Sequence, residues 1–131
     1  MKTESIEIVF REQDVRQYIK VTDDRNPIYT NIEIAQSHGH QTIPLPPTMP
    51  MIAYKWIEIP WTLKEPLIHR SQETIHHQTM YINKPYFAQV LLKEQTMRKN
   101  YQVVKQIIRI VDRDKALCFE GISQLIAGGL S

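Results

Sequence analysis

The sequence predicts an α+β fold in which a long antiparallel sheet wraps around one central hydrophobic helix. No proline follows Pro85, and the rest of the chain is rich in Val, Ile and Leu. Such a segment can supply central strands, because every backbone N–H stays available for pairing. Residues 50–57 are almost wholly apolar, and a helix that is apolar all round must be buried. The length of 131 residues suits a single domain over residues 1–131.

The first half of the chain predicts a short strand and three helices. Residues 5–10 alternate apolar and polar side chains, as a strand does, and residues 12–21 show helical spacing. Asn31 is a candidate N-cap for a two-turn helix that ends at Gly39. Thr48 is a candidate N-cap for the central helix, with Pro50 in its first turn.

The second half predicts an antiparallel meander. Residues 90–97, 101–111 and 116–126 are strand-like segments, and the polar residues 98–100 and 112–115 between them have hairpin length. A further strand is predicted over residues 71–81, so the whole sheet should enclose the central helix.

Composition excludes several function classes. The 16 basic and 14 acidic residues leave a net charge of +2, which gives no electrostatic basis for binding nucleic acid. One cysteine, Cys118, excludes an internal disulfide and a thiolate metal cluster. No apolar run approaches the ~18 residues of a membrane span, and no signal peptide is evident. We expect a cytoplasmic protein.

Two motifs carry a resemblance to a known family. Asp24, Asn26, Pro27 and Ile28 fall in order on the pattern Gly-Asp-x-Asn-Pro-Leu/Ile-His, and residues 43–49 precede the predicted central helix. With the strands that follow, this order resembles the MaoC-like hydratases and dehydratases over nearly the whole chain. The resemblance implies the hot-dog fold, acyl-thioester substrates linked to CoA or acyl carrier protein, and no cofactor.

The chain departs from the family pattern at two positions. Asp23 stands where the family has glycine, and Tyr29 stands where it has the catalytic histidine. Histidine titrates near pH 6.5 and can exchange protons around neutrality, whereas tyrosine at ~10 is a poor base. The Tyr variant resembles the N-terminal MaoC-like dehydratase branch, in which one hot-dog half shapes the acyl channel for a catalytic second half.

The resemblance assigns roles to residues of both motifs. Asp24 and Tyr29 are the candidate catalytic residues, and a backbone N–H near residues 48–51 is the candidate oxyanion donor. The candidate substrate-binding residues are Asn26, Pro47, Thr48 and Met49. Structural roles remain as alternatives, because Asp and Asn are also common turn residues and Tyr29 can be a packing residue.

The five histidines do not predict a metal site. His76 and His77 are neighbours on a predicted strand and should face opposite ways, so they cannot readily bind one ion. His38 and His40 have no acidic partner at ligand spacing. His40 precedes the central helix and is a candidate for the missing base.

Three function hypotheses follow from the resemblance. The favoured one is a substrate-binding subunit of an R-specific 3-hydroxyacyl-thioester dehydratase or enoyl hydratase, in a homodimer or a heterodimer with a second hot-dog half. The second is a self-sufficient hydratase that uses Asp24. The third is a thioesterase or acyl-thioester sensor on the same fold.

Overall fold

The computed structural model describes residues 1–130, without the side chains of residues 94, 95 and 130. Ser131, the last residue of the predicted domain, lies outside the described residues. The chain forms one five-stranded antiparallel sheet in the order β1-β3-β4-β5-β2. The elements are β1 (Ile6–Val9), α1 (Glu12–Thr22), a 3₁₀ turn (Pro27–Tyr29), α2 (Ile32–Ser37), the central helix (Met49–Trp56), β2 (Leu63–His76), β3 (Pro85–Arg98), β4 (Tyr101–Val111) and β5 (Leu117–Leu130).

The predicted meander is confirmed as β3, β4 and β5, although β3 begins at Pro85 instead of residue 90 and β5 continues to Leu130 instead of residue 126. These three strands pair consecutively through two hairpins, and their alternate side chains form the core against the central helix. In the second hairpin the carboxylate of Asp112 accepts hydrogen bonds from the backbone N–H groups of Asp114 and Ala116, both at 2.9 Å. This local chemistry fixes where β4 ends and β5 begins.

The predicted strand over residues 71–81 is wrong in its bounds. β2 runs from Leu63 to His76 and pairs with β5 along the outer edge of the sheet. Pro66 is tolerated because the pairing skips it, between Lys64 and Leu67 at the edge. Beyond His76 the N–H groups of His77 and Gln78 both donate to the carbonyl of Cys118, which turns the chain away from the sheet.

The central helix differs from the predicted residues 50–57 in type and burial. It is a 3₁₀ helix, in which Met51 N–H donates to the carbonyl of Thr48 at 3.2 Å. Pro50 has no N–H to offer at the position between. The helix buries Met49, Pro50 and Ala53, whereas Lys55 and Trp56 on the far side are exposed. Burial on all sides was a wrong prediction, because the charged Lys55 stays in water.

The remaining elements agree with the sequence. α1 and α2 lie where helices are predicted, and Asn31 caps α2 by accepting a hydrogen bond from Ile34 N–H at 3.1 Å. β1 pairs with β3 at the opposite edge from β2. None of the helices in the described part of the chain is long and apolar enough to cross a membrane.

Candidate functional site

The motif loop begins where α1 ends. Asp23 adopts the left-handed conformation at φ 54°, and the next N–H, that of Asp24, donates back to the carbonyl of Ile19 at 2.9 Å. Glycine is the usual residue at this position, and Asp is one of the few others that enter the left-handed region readily. The substitution of aspartate for the family's glycine therefore keeps a left-handed helix end.

Asp24 and Asn26 both form hydrogen bonds within this loop. The Asp24 carboxylate accepts a hydrogen bond from Asn26 N–H at 3.0 Å. The Asn26 amide oxygen in turn accepts from Ile28 N–H at 3.2 Å and caps the 3₁₀ turn. Each side chain thus has a turn role, and these bonds set the path of the chain into Tyr29. Asp24 keeps a partly exposed carboxylate, and Asn26 is exposed.

Tyr29 is buried at the end of this turn, with 7% of its surface exposed. Burial raises the pKa of Tyr29 above its ordinary value of 10.0, and the negative charge of Asp24 raises this pKa further. The two candidate catalytic residues are therefore electrostatically coupled. The coupling keeps the proton on Tyr29, so its hydroxyl can donate a hydrogen bond but cannot act as a general base near neutral pH.

A cavity of about 430 Å³, the Tyr29 cavity, opens beside this residue. Among the described residues its walls come from the motif loop, the proline-rich segment and the end of β2. They are Ile28, Tyr29, His40, Pro44, Leu45, Pro46, Pro47, Pro50, His76, His77, Gln78, Thr79 and Met80. Of the candidate site residues, Tyr29 and Pro47 line this cavity, whereas Asp24, Asn26, Thr48 and Met49 do not.

The cavity contains an interaction that the sequence did not predict. The Nε2 of His76 hydrogen-bonds to the backbone carbonyl of Pro47, and the His76 ring packs edge-on to Phe119 with the ring centroids 5.2 Å apart. His77, which follows the end of β2, also lines the cavity but has a different partner, Glu120, at 3.1 Å. The Pro47 contact crosses 29 residues, and no sequence spacing signals it.

Another imidazole reaches the same cavity from the loop after α2. The Nδ1 of His40 lies 3.1 Å from the hydroxyl of Tyr81, and the two rings also pack edge-on. His40 was the candidate for the missing base, and it does share a cavity with Tyr29. Its partner in the structure is a phenol rather than a carboxylate.

Most backbone N–H groups at the entrance of the central helix are hydrogen-bonded within the chain or absent. Met49 N–H donates to the carbonyl of Pro46 at 3.0 Å, Met51 N–H donates to Thr48, and Pro50 has no N–H. No described residue accepts the N–H of Thr48, so this group stays available.

Thr48 and Met49 differ from their predicted roles in detail. Thr48 lies at the N-cap position, but its hydroxyl bonds to the hydroxyl of Tyr18 and not to a helix N–H, so the predicted cap bond is wrong. The Met49 side chain is fully buried in the core. A substrate contact by Met49 stays a prediction for the bound state.

The histidines and acidic residues do not converge on one point. Within residues 1–130, no group of three or more His, Cys, Asp or Glu side chains is arranged to hold a metal ion. Cys118 is buried on β5, and burial raises the pKa of its thiol. The cysteine is therefore a packing residue, as its alternation in the strand predicted.

A central helix packed on one face of a five-stranded antiparallel sheet, preceded by an Asp-x-Asn-Pro loop, defines a MaoC-like hot-dog protein. Residues 1–105 match the family model described as "FAS1-like, dehydratase domain region", and the chain belongs to this family. No curated protein matches the sequence.

Solved structures with the same fold agree with this assignment. The HadBC (3R-hydroxyacyl-ACP dehydratase) complex from Mycobacterium tuberculosis is similar with a TM-score of 0.83 and 14% identity, covering 97% of this chain and 95% of that one. The (R)-hydratase from A. caviae gives a TM-score of 0.76 at 14% identity, with 95% and 92% covered. The MaoC-like dehydratase from Rhodospirillum rubrum gives 0.77 at 9% identity, with 97% and 90% covered. At these identities the likeness establishes the hot-dog fold.

Proposed function

We propose that this chain binds acyl thioesters as the substrate-binding subunit of an R-specific 3-hydroxyacyl-thioester dehydratase or enoyl hydratase. The family and the fold supply the class of chemistry, and the names of the neighbours include a 3R-hydroxyacyl-ACP dehydratase and an (R)-hydratase. A thioester carried by CoA or by acyl carrier protein would enter the Tyr29 cavity. A cytoplasmic location remains a prediction from the sequence.

The observation that carries this proposal is the state of Tyr29. This residue occupies the family's histidine position, it is buried, and burial together with Asp24 raises its pKa. Hydration of an enoyl thioester needs a base that activates water, and general acid–base groups contribute about 10²–10⁴-fold in rate. A phenol that keeps its proton can orient a ligand but cannot supply this step.

A backbone group can still polarise the thioester carbonyl. The carbonyl of Pro47 and the N–H of Thr48 belong to one trans peptide unit, so they point in opposite directions. Because His76 holds that carbonyl, it fixes the direction in which the Thr48 N–H points. That direction is away from His76, and Thr48 does not line the Tyr29 cavity, so an oxyanion donor near residues 48–51 stays a prediction for the bound state.

The subunit is proposed to act as a dimer through β2. This strand of 14 residues lies at the edge of the sheet, and along it Leu67 and Ile68 expose 47% and 53% of their surface. Long edge strands that expose apolar side chains are normally paired or covered, and this strand exposes two among its charged residues. Pairing β2 with its counterpart in a second copy, or in a related catalytic half, would join the two sheets edge to edge.

One observation favours the alternative of a self-sufficient hydratase. Three imidazoles, those of His40, His76 and His77, line the same cavity as Tyr29, and histidine is the most common general base in enzymes. In this alternative His40 replaces the missing base and Asp24 orients the water. The two proposals predict different rates of enoyl-thioester hydration, and both predict that the chain binds acyl thioesters.

Binding and turnover together test the proposal. Isothermal titration should show that the purified chain binds butyryl-CoA, which has no double bond to hydrate, while hydration of crotonyl-CoA stays far below ~1 per second. Turnover above that rate, abolished by Asp24→Asn, would support the self-sufficient hydratase. Release of free CoA thiol would indicate a thioesterase. Absence of binding would contradict the hydratase family role altogether.

The dimer has its own test. Light scattering at micromolar concentration should give about twice the chain mass of 15.4 kDa, or show a mixed dimer when a catalytic hot-dog half is added. Leu67→Lys together with Ile68→Lys should produce monomers, since charges on the edge strand oppose pairing. A purely monomeric wild-type chain that also ignores the catalytic half would rule out the dimer.

A further inference from the structure

A second cavity, the Tyr54 cavity, lies between the central helix and the β2 side of the sheet. It has a volume of about 290 Å³. Among the described residues it is lined by Met51, Tyr54, His69, Gln72, Gln106, Ser123 and Leu125. No motif of the sequence pointed to this cavity, and none of the roles discussed above uses its polar side chains.

Two residues with side-chain hydroxyl groups, Tyr54 and Ser123, line this cavity. The Tyr54 hydroxyl oxygen is buried and makes no hydrogen bond with any described residue, although Gln106 lies close enough to offset part of the rise in the Tyr54 pKa that burial causes. The oxygen of the Gln106 amide is taken by the indole N–H of Trp61 at 3.0 Å. Ser123 is buried, with 4% of its surface exposed, and its hydroxyl is a second hydrogen-bonding group in the cavity wall.

A buried hydroxyl without a hydrogen-bond partner lowers the stability of the folded protein. A buried polar group without a partner destabilises a protein by roughly 1–3 kcal/mol, so native structures keep few of them. Water or a ligand would therefore satisfy the Tyr54 hydroxyl. None of the described lining residues is Asp, Glu, Lys or Arg, and Met51 and Leu125 add apolar walls. This lining, with His69 and two glutamines as its other polar groups, suits a neutral hydrogen-bonding group on an apolar body.

The pairing of β2 with β5 connects this cavity to the Tyr29 cavity. His76 lies opposite Phe119, Thr74 opposite Gly121, and Gln72 opposite Ser123. Because strand side chains alternate, these pairs share the face that meets the central helix. His76 lines the Tyr29 cavity and Gln72 lines the Tyr54 cavity, and four residues of strand place them about 13 Å apart.

Met51 separates the two cavities. It follows Pro50, which lines the Tyr29 cavity, and it lines the Tyr54 cavity itself. Its sulfur lies directly over Gly121, so close that a Cβ at that position would collide with it. An unbranched methionine can change rotamer at low cost. A rotamer change of Met51 would therefore open a path over Gly121 between the two cavities.

We propose that the Tyr54 cavity receives a neutral polar group, a hydroxyl or a ketone, at the far end of the acyl chain whose thioester lies in the Tyr29 cavity. This inference rests on the proposed function, and it names the substrate class as medium-length acyl thioesters with a polar tip. Tyr54 donates a hydrogen bond to the tip and Ser123 donates or accepts a second one. Met51 swings aside to let the chain pass over Gly121.

The test compares two ligands that differ only at the tip. Isothermal titration with dodecanoyl-CoA and ω-hydroxydodecanoyl-CoA should show about tenfold tighter binding of the hydroxylated chain, the effect of roughly 1.4 kcal/mol. The double variant Tyr54→Phe with Ser123→Ala should lose this preference, so that it binds the two chains equally. Tyr101→Phe, an exposed tyrosine on β4, is the matched control and should change neither affinity.

The possible outcomes distinguish a failure of this inference from a failure of the proposed function. The proposal of a polar acyl tip would be overturned if the wild-type protein bound the two chains equally. It would also be overturned if the preference remained in the double variant. If neither thioester binds, the proposed function fails, and an NMR titration with hexanol then tests the cavity alone. Shifts of the Ser123 amide signal that vanish in the double variant would support the polar cavity, and no shift would overturn it.

Discussion

The two walls of the Tyr29 cavity are stabilised in different ways. The motif-loop wall depends on short-range bonds, since Asp24 and Asn26 each accept from an N–H two residues further along. The sheet wall depends on contacts between distant parts of the chain, such as His76 with Pro47 and with Phe119. A residue of the loop wall can therefore change with little effect on the rest of the fold. A change in a residue of the sheet wall should destabilise the fold.

The largest expected effect is on the sheet wall. Phe119 is fully buried beside His76, so Phe119→Ala should lower the free energy of unfolding by about 3–5 kcal/mol. Urea denaturation measures this change. The half-buried Phe87 of β3 is the matched control, and Phe87→Ala should cost clearly less. Equal losses of unfolding free energy at both positions would contradict the conclusion that the sheet wall is especially sensitive to substitution.

The next effect is functional and lies on the loop wall. Tyr29→His restores the family's acid–base pair beside Asp24, and imidazole is smaller than the phenol it replaces. We expect hydration of crotonyl-CoA to rise at least tenfold over a weak or undetectable wild type, which corresponds to about 1.4 kcal/mol in the barrier. The exposed Tyr101 provides the control variant Tyr101→His. A folded dimeric Tyr29→His variant without any gain would indicate that the chain is a binding partner alone.

A smaller effect separates the structural and the functional sides of the loop. Asn26 and Asn31 both use the side-chain oxygen to accept a backbone N–H at a helix entrance. Asn26→Ala and Asn31→Ala should each lower the free energy of unfolding by about 1 kcal/mol. Only Asn26→Ala should weaken butyryl-CoA binding, because it alone displaces the turn that carries Tyr29. If the two variants bind butyryl-CoA equally well, Asn26 has no role in substrate binding.

The same division explains what the sequence could predict. The hairpins of β3 to β5, the cap at Asn31 and the loop of Asp24 follow from neighbouring residues, and they were predicted in place. The start of β2 was missed because a proline suggests a break until the edge position of the strand is known. His76 and the Tyr54 cavity depend on which strands pair and in which register, and no local pattern carries that information.

The smallest predicted effect is at Asp23, where the loop departs from the family but keeps its backbone. A left-handed conformation costs an ordinary residue roughly 1–2 kcal/mol and costs Asp less, while glycine adds entropy to the unfolded chain. Asp23→Gly should therefore raise the free energy of unfolding by less than about 1 kcal/mol. The lost ion pair with Arg25 matters little, because both side chains are largely exposed. Lys99→Gly, at φ 55° in the first hairpin, should gain more, since lysine enters this region less readily than aspartate. Thermal denaturation compares the two variants, and butyryl-CoA affinity should stay unchanged in both. A loss of stability or of binding in Asp23→Gly would mean that the Asp23 side chain supports the loop in a way that its backbone conformation does not explain.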